Sequence, residues 1–345
     1  MTGPAPSRFR RRALLAGAGL AAAGAGISLL GTPWHHHHSR QPDGSYRRLR
    51  VGWLEADNSP VFAAAQQKDF FAHYNLDIQP VHSTRNGPDI LRALEVGELN
   101  YAVAPALAWI QALHAGLNAQ LVMGVQPGNF RLLVRRTSGI TRLDQLMGRT
   151  VAIPEQSTVE KLFLAIMMRR KGLDALNRIK WVELPPFPDM DDAVHEDSID
   201  AIITRDPYGW LLLQKKPELF SELVGSNSGH YAERTSLVLG ASTKALDQDP
   251  EAATALVLAL RDAALWADTH RDDVATMIAD NISELSVASA RRMLHAEPAI
   301  IPVIGKALRT QVAQYCDELQ LIGLLPENDD TARLSGLYTA NPLRQ

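Results

Sequence analysis

The chain has 345 residues, 46% of them hydrophobic and 21% charged, with a formal net charge of −3. That length favours two domains over one, because single cores stop growing at ~250–300 residues, and the lack of a long basic run in the body argues against nucleic acid as a partner. The single cysteine, Cys316, excludes an internal disulfide framework and leaves none near the start to carry a lipid anchor.

Residues 1–42 contain no Asp, Glu or Lys; Arg8, Arg10, Arg11 and Arg12 precede an uncharged run from Ala13 to Leu30. A basic head before a mildly apolar run reads as a secretory signal. Arg11-Arg12-Ala13-Leu14-Leu15 resembles a twin-arginine export signal, although Arg10 stands where Ser or Thr usually precedes the pair. The competing reading is an uncleaved membrane tether, which the many Gly and Ala residues disfavour. Residues 1–31 are therefore expected to be a twin-arginine-type signal segment that places the protein in the periplasm. Residues 32–47 read as a flexible linker in which His35 to His38 form a loose tract rather than a built metal site.

From Arg50 the pattern alternates strand and helix, as parallel sheets flanked by helices require. Strands are expected at Leu49–Trp53, Asp77–Val81, Tyr101–Val103, Gln120–Val125, Arg131–Val134, Thr150–Ile153, Lys180–Leu184, Ala201–Ile203 and Ser236–Ala241. Helices fall between them at Val61–His73, Pro88–Val96, Leu107–Ala115, Thr158–Arg170, Met190–His195 and Tyr208–Gln214. Pro60, Pro88 and Pro207 stand near helix starts, where a missing N–H is harmless. After Ser242 strand signals cease, and the helical runs 246–270, 272–282, 286–294 and 306–321 are expected to wrap back over the first lobe.

Ligands of open parallel sheets bind beyond the carboxyl ends of strands, where helix N-termini present unpaired N–H groups. The loops at those ends are rich in hydroxyl and amide side chains. They offer Glu55, Asn58 and Ser59 after the first strand, Ser83, Thr84 and Asn86 after the second, and Pro105 after the third. Gln156, Ser157 and Thr158 follow the Val151–Ile153 strand; Arg205, Asp206 and Tyr208 follow Ile203. Several of these residues, Asn58, Ser59, Thr84, Ser157 and Asp206, also suit a plain N-cap. Arg205 has two readings: a forked donor for an anion in the cleft, or a surface side chain paired with Asp206.

Enzyme signatures are missing from the sequence. Ser226 and Ser228 in Gly225-Ser226-Asn227-Ser228-Gly229 have the wrong spacing for a nucleophile elbow, and no phosphate-binding loop, paired Cys or His-Glu-x-x-His occurs. His195-Glu196-Asp197 reads as a solvated turn.

Residues 48–325 resemble periplasmic solute-binding proteins of ABC importers, in the group serving sulfonates, taurine, nitrate, bicarbonate and thiamine precursors. The segments that carry the resemblance are Ala63–Asp77 (AAAQQKDFFAHYNLD), Asp89–Tyr101 (DILRALEVGELNY), Leu143–Pro154 (LDQLMGRTVAIP) and Ile199–Tyr208 (IDAIITRDPY). The first is similar to a family helix written A-K-x-x-G-F-F-x-x-x-G-L-D. Departures are Asp69 for its first Gly, Asn100 for the Asp of an x-x-D turn, and Arg205 for the Trp of W-D-P-Y.

The resemblance implies a two-lobed, type II periplasmic-binding-protein α/β fold, each lobe a mostly parallel sheet flanked by helices, with two hinge crossings near Arg131–Arg135 and Leu237–Ala241. Residues 48–132 and 240–345 would form one lobe and 133–239 the other. Gln126 and Asn129, in a Gln-Pro-Gly-Asn loop similar to that of nitrate-type members, join the expected ligand residues. The implied protein is a monomer without cofactor or catalytic activity. It takes a small polar, anionic ligand such as a sulfonate or nitrate and hands it to an ABC permease in the inner membrane. Alternatives are a sensing module for a membrane sensor, or a thiamine-pyrimidine synthase-like enzyme on the same fold.

Overall fold

The computed structural model describes residues 44–81, 87–154, 158–185, 189–194, 198–282 and 284–343. The signal segment, most of the linker with its His tract, and the His195–Asp197 turn lie outside them.

Among the described residues, ten strands form two five-stranded sheets. In the first, β1 (Arg47–Trp53) runs parallel to β2 (Leu76–Val81) and β3 (Tyr101–Pro105). The last strand, β10 (Thr235–Ser242), enters antiparallel between β3 and β4 (Ala119–Pro127). The second sheet repeats the plan: β6 (Thr150–Pro154) lies parallel to β7 (Lys180–Leu184) and β8 (Ala201–Arg205). There β5 (Phe130–Arg135) runs antiparallel between β8 and β9 (Phe220–Gly225). This is the two-lobed α/β architecture expected. Each sheet is mixed, because one strand arrives from the other lobe in the opposite direction.

The central strands are mostly apolar, as strands covered on both faces tend to be. Every residue of β3 is buried, and so is every residue of β5, including two arginines. Arg135 satisfies its charge on the carbonyls of Ile199 and Val194, at 2.8 and 2.6 Å. Gly240 of β10 lies under Trp109, whose ring would stand 2.5 Å from any Cβ there. The same indole donates to the carbonyl of Val238 at 2.9 Å, so the missing side chain is what lets Trp109 lie on the sheet.

The chain crosses between sheets twice, through Gly128–Asn129 and through Ser226–Arg234. Arg131–Arg135 and Leu237–Ala241 are interior strand segments, so both crossings lie just before the passages expected from the resemblance. Strand β9 gave no sequence signal, since Ser221 and Glu222 interrupt its apolar run and it stands at a sheet edge.

The helix expected over Val61–His73 breaks in two, at Pro60–Gln67 and Phe70–His73. Asp69 between them has a φ of 57°, and Asn75 has the same value. Both positions are glycine in the family pattern, and the left-handed backbone explains that preference.

The helix Pro250–Thr269 packs along Pro60–Gln67. The C-terminal segment returns to β4, pairing Val303 with Gly124 and Thr339 with Leu121. The helix Lys306–Leu321 also reaches the second lobe, where Glu318 meets Arg170 at 2.8 Å. No helix among the described residues is long and apolar enough to cross a membrane.

Candidate ligand site

The carboxyl ends of β1, β3, β4 and β8 converge, with the first residues of the antiparallel β5 and β10 between them. They form a narrow crevice, with an open volume of about 20 Å³, lined by Leu54, Glu55, Asn58, Ser59, Pro105, Gln126, Pro127, Asn129, Phe130, Arg205, Asp206, Ser236 and Leu237. Eight of the residues expected from the sequence meet here: Glu55, Asn58, Ser59, Pro105, Gln126, Asn129, Arg205 and Asp206. Sequence reasoning missed Leu54, Pro127, Phe130, Ser236 and Leu237; the last three stand near the starts of β5 and β10, strands whose partners belong to distant parts of the chain.

Ser59 has both roles considered for it. Its Oγ accepts from the Phe62 N–H at 3.3 Å, capping the helix, and donates to Gln126 Oε1 at 2.8 Å. Asn58 Nδ2 donates across the crevice to Tyr208 Oη at 3.2 Å, which brings Tyr208 to the site's edge. Asn129 Nδ2 donates to the Asp206 carbonyl at 2.9 Å, and the Asp206 N–H returns a bond to the Asn129 carbonyl at 3.0 Å. Ser83, Thr84, Asn86, Gln156 and Ser157 lie outside the described residues. Thr158 begins the helix Thr158–Arg169.

Arg205 lines the crevice and, though mostly buried, pairs with carboxylates other than its neighbour Asp206. Its Nε donates to Glu160 Oε1 at 2.6 Å, and its Nη1 lies 3.5 Å from Glu55 Oε2 on the other lobe. Burial works against this guanidinium's charge, but Glu55 and Glu160 outweigh it and raise the pKa. Glu55 is placed by a left-handed backbone, φ 50°, immediately after β1. Two carboxylates on one arginine leave this end of the crevice with an excess negative charge, which is unsuited to an anion.

Asp206 is held by Arg131 instead. Arg131 Nε and Nη2 each reach its carboxylate at 2.7 Å, and Nη1 reaches Glu222 Oε2 at 2.5 Å. Asp206 Oδ1 also accepts the Trp210 N–H at 3.0 Å at the start of the helix Tyr208–Lys215. Its carboxylate is thus occupied by structure, while its backbone forms the crevice wall.

Further contacts bridge the lobes around the crevice. Trp210 Nε1 donates to Ser289 Oγ at 2.8 Å, and Lys215 pairs with Glu284. A second, smaller recess adjoins the first and shares Pro105, Phe130 and Ser236 with it.

The model of the NMT1-like family matches residues 43–283. The periplasmic aliphatic sulphonate binding protein of Escherichia coli is similar in structure, with 20% identity and a TM-score of 0.68 over 84% of this chain and 92% of that one. The alkanesulfonate-binding protein of Xanthomonas axonopodis, solved with bound MOPS, is 21% identical, with a TM-score of 0.68 over 84% of this chain and 98% of that one. The periplasmic nitrate-binding protein of Synechocystis is 12% identical, with a TM-score of 0.67 over 85% of this chain and 86% of that one. No curated protein sequence matches the chain.

Proposed function

The chain belongs to the NMT1-like family, and from that premise we propose that it is an extracytoplasmic solute-binding protein of an ABC importer, exported by its twin-arginine-type segment. It captures a small polar, anionic ligand such as a sulfonate or nitrate, closes over it and delivers it to a membrane permease. It catalyses no reaction and works as a monomer with one lobe around 48–132 and 240–345 and the other around 133–239, boundaries that fall inside β5 and β10.

The observation that carries this reading is the meeting of strand-end loops from both sheets at one crevice, bridged by Arg205 to Glu55 and by Asn58 to Tyr208. Such a site binds fully only when the lobes come together, because each supplies part of it. Contacts made only in the closed state must exceed the cost of bending the crossings, so ligand and closure are coupled. The closed face then differs from the open one, which is what a permease needs in order to select loaded receptors.

A thermal-shift panel of sulfonates, nitrate, bicarbonate, taurine and pyrimidines tests the reading. A ligand at a thousandfold its dissociation constant stabilises the folded state by about 4 kcal/mol, a rise of several degrees in melting temperature. A flat response across the whole panel contradicts it.

A further inference from the structure

Resting on that receptor reading, we propose that Arg234, rather than Arg205, seats the ligand's acidic group, and that the ligand is a small organic monoanion with a flat apolar body. The recess adjoining the crevice is narrow, with an open volume of about 20 Å³, and its walls include Leu107, Phe130, Phe163, Tyr231, Arg234 and Tyr315. It shares Pro105, Phe130 and Ser236 with the crevice, so one ligand has access to both.

Arg234 is 6% exposed. Its Nη1 donates to Glu318 Oε1 at 2.6 Å, but its Nε and Nη2 have no hydrogen-bond partner among the described residues. Buried charged donors are rarely left unmade, because each forfeits its hydration without replacement. The guanidinium lies 3.8 Å over the Tyr315 ring, which occupies its face and leaves its N–H edge for a partner. A planar edge with two adjacent donors matches a carboxylate or sulfonate.

The charges point the same way. Glu318 is shared between Arg234 and Arg170, so two cations stand on one carboxylate, the reverse of the arrangement at Arg205. Glu318 Oε2 also lacks a partner, which leaves two free donors against one free acceptor. Tyr231, pushed up to about 12 by burial, stays neutral at physiological pH and opposes no anion.

The apolar walls select the body. Phe130 stacks on Phe163 with centroids 4.6 Å apart, and Phe163 meets Tyr231 edge-on at 4.9 Å. This fixed aromatic surface favours a flat hydrocarbon over a hydrated inorganic ion. The recess as it stands has room for about one water, and its walls come from both lobes (Leu107 and Phe163), so it admits a single ring only as the lobes part.

Titration calorimetry on the full chain with benzoate, benzenesulfonate, benzamide, nitrate and taurine tests the assignment. Benzamide has the shape of benzoate without its charge. Benzoate or benzenesulfonate is expected to bind at least tenfold more tightly than benzamide. Arg234→Lys, which keeps a cation beside Glu318 but loses the fork, is expected to weaken that binding at least tenfold. Equal affinity for benzoate and benzamide, or an unchanged dissociation constant in Arg234→Lys, overturns the seat while leaving the receptor reading intact. Binding of nitrate or taurine alone overturns the flat apolar body in the same way. Silence from every compound on the unmodified chain overturns both. The benzoate–benzamide comparison needs no variant, so a folding defect in Arg234→Lys does not shield the proposal.

Discussion

Arg205 Nε lies 2.6 Å from Glu160 Oε1, and Glu160 is fully buried in the helix Thr158–Arg169. The arginine is thereby tied to its own lobe, while its Nη1 reaches Glu55 of the other at 3.5 Å. It is a strut across the crevice, satisfied before any ligand arrives.

Removing the strut leaves Glu160 buried without its cation. Arg205→Ala is expected to cost about 3–5 kcal/mol of stability, the usual penalty for breaking one side of a buried pair. Urea denaturation measures it, and a loss under ~1 kcal/mol would mean that Glu160's other interactions hold its charge without Arg205. Arg205→Ala,Glu160→Gln should recover part of the loss, since no lone charge is then left inside.

Asp69 sits at φ 57° between two short helices. Glycine reaches that conformation without strain, so Asp69→Gly is expected to stabilise by about 0.5–1 kcal/mol, raised melting temperature being the readout. A drop in stability would show that the aspartate side chain contributes more than its backbone costs.

Glu297 follows the helix Val287–Ala296, and its carboxyl is raised from 4.5 to about 8, first by burial and then by the charge of Asp206, against the pull of Arg131 and Arg271. The folded state therefore keeps this proton to higher pH than the unfolded chain does. Its contribution is fully present below the unfolded value and is lost as pH rises toward 8. Melting temperatures from pH 5 to 8.5 should fall less steeply in Glu297→Gln than in the unmodified chain; parallel slopes would remove Glu297 as the cause.

Cys316 is fully buried on the helix Lys306–Leu321, and burial pushes its thiol up to about 12. It is expected to react with a thiol-specific chromogenic disulfide only after denaturation. Rapid labelling of the native chain would require local opening of that helix.

The strand-end loops were legible because hydroxyl and amide residues cluster where the apolar runs stop, as at Glu55–Ser59 and Arg205–Tyr208. What those side chains do there was not. Glu160 stands in the first turn of an apolar helix and reads as an ordinary complement to its dipole; nothing local says that it faces Arg205, 45 residues away. Arg205 and Asp206 are adjacent in sequence, yet on a strand end successive side chains point apart, so each found a different partner. Arg234 lies in a crossing segment with no periodic pattern, and Glu318, which it meets, comes from a helix 84 residues later. Strand β9 was illegible for a simpler reason: an edge strand needs only one buried side, and Phe220 and Gly225 alone supply its fully buried positions.

The most direct measurement is a crystal structure of the full chain grown with whichever panel compound raises its melting temperature most. The account predicts electron density for that compound between the sheets, in reach of Asn58 and Gln126 beside the first sheet and of Phe130 at the start of β5 in the second. Density instead in the recess between the helices Lys306–Leu321 and Thr331–Tyr338, on one lobe alone and lined by Arg309 and Asp317, would contradict it.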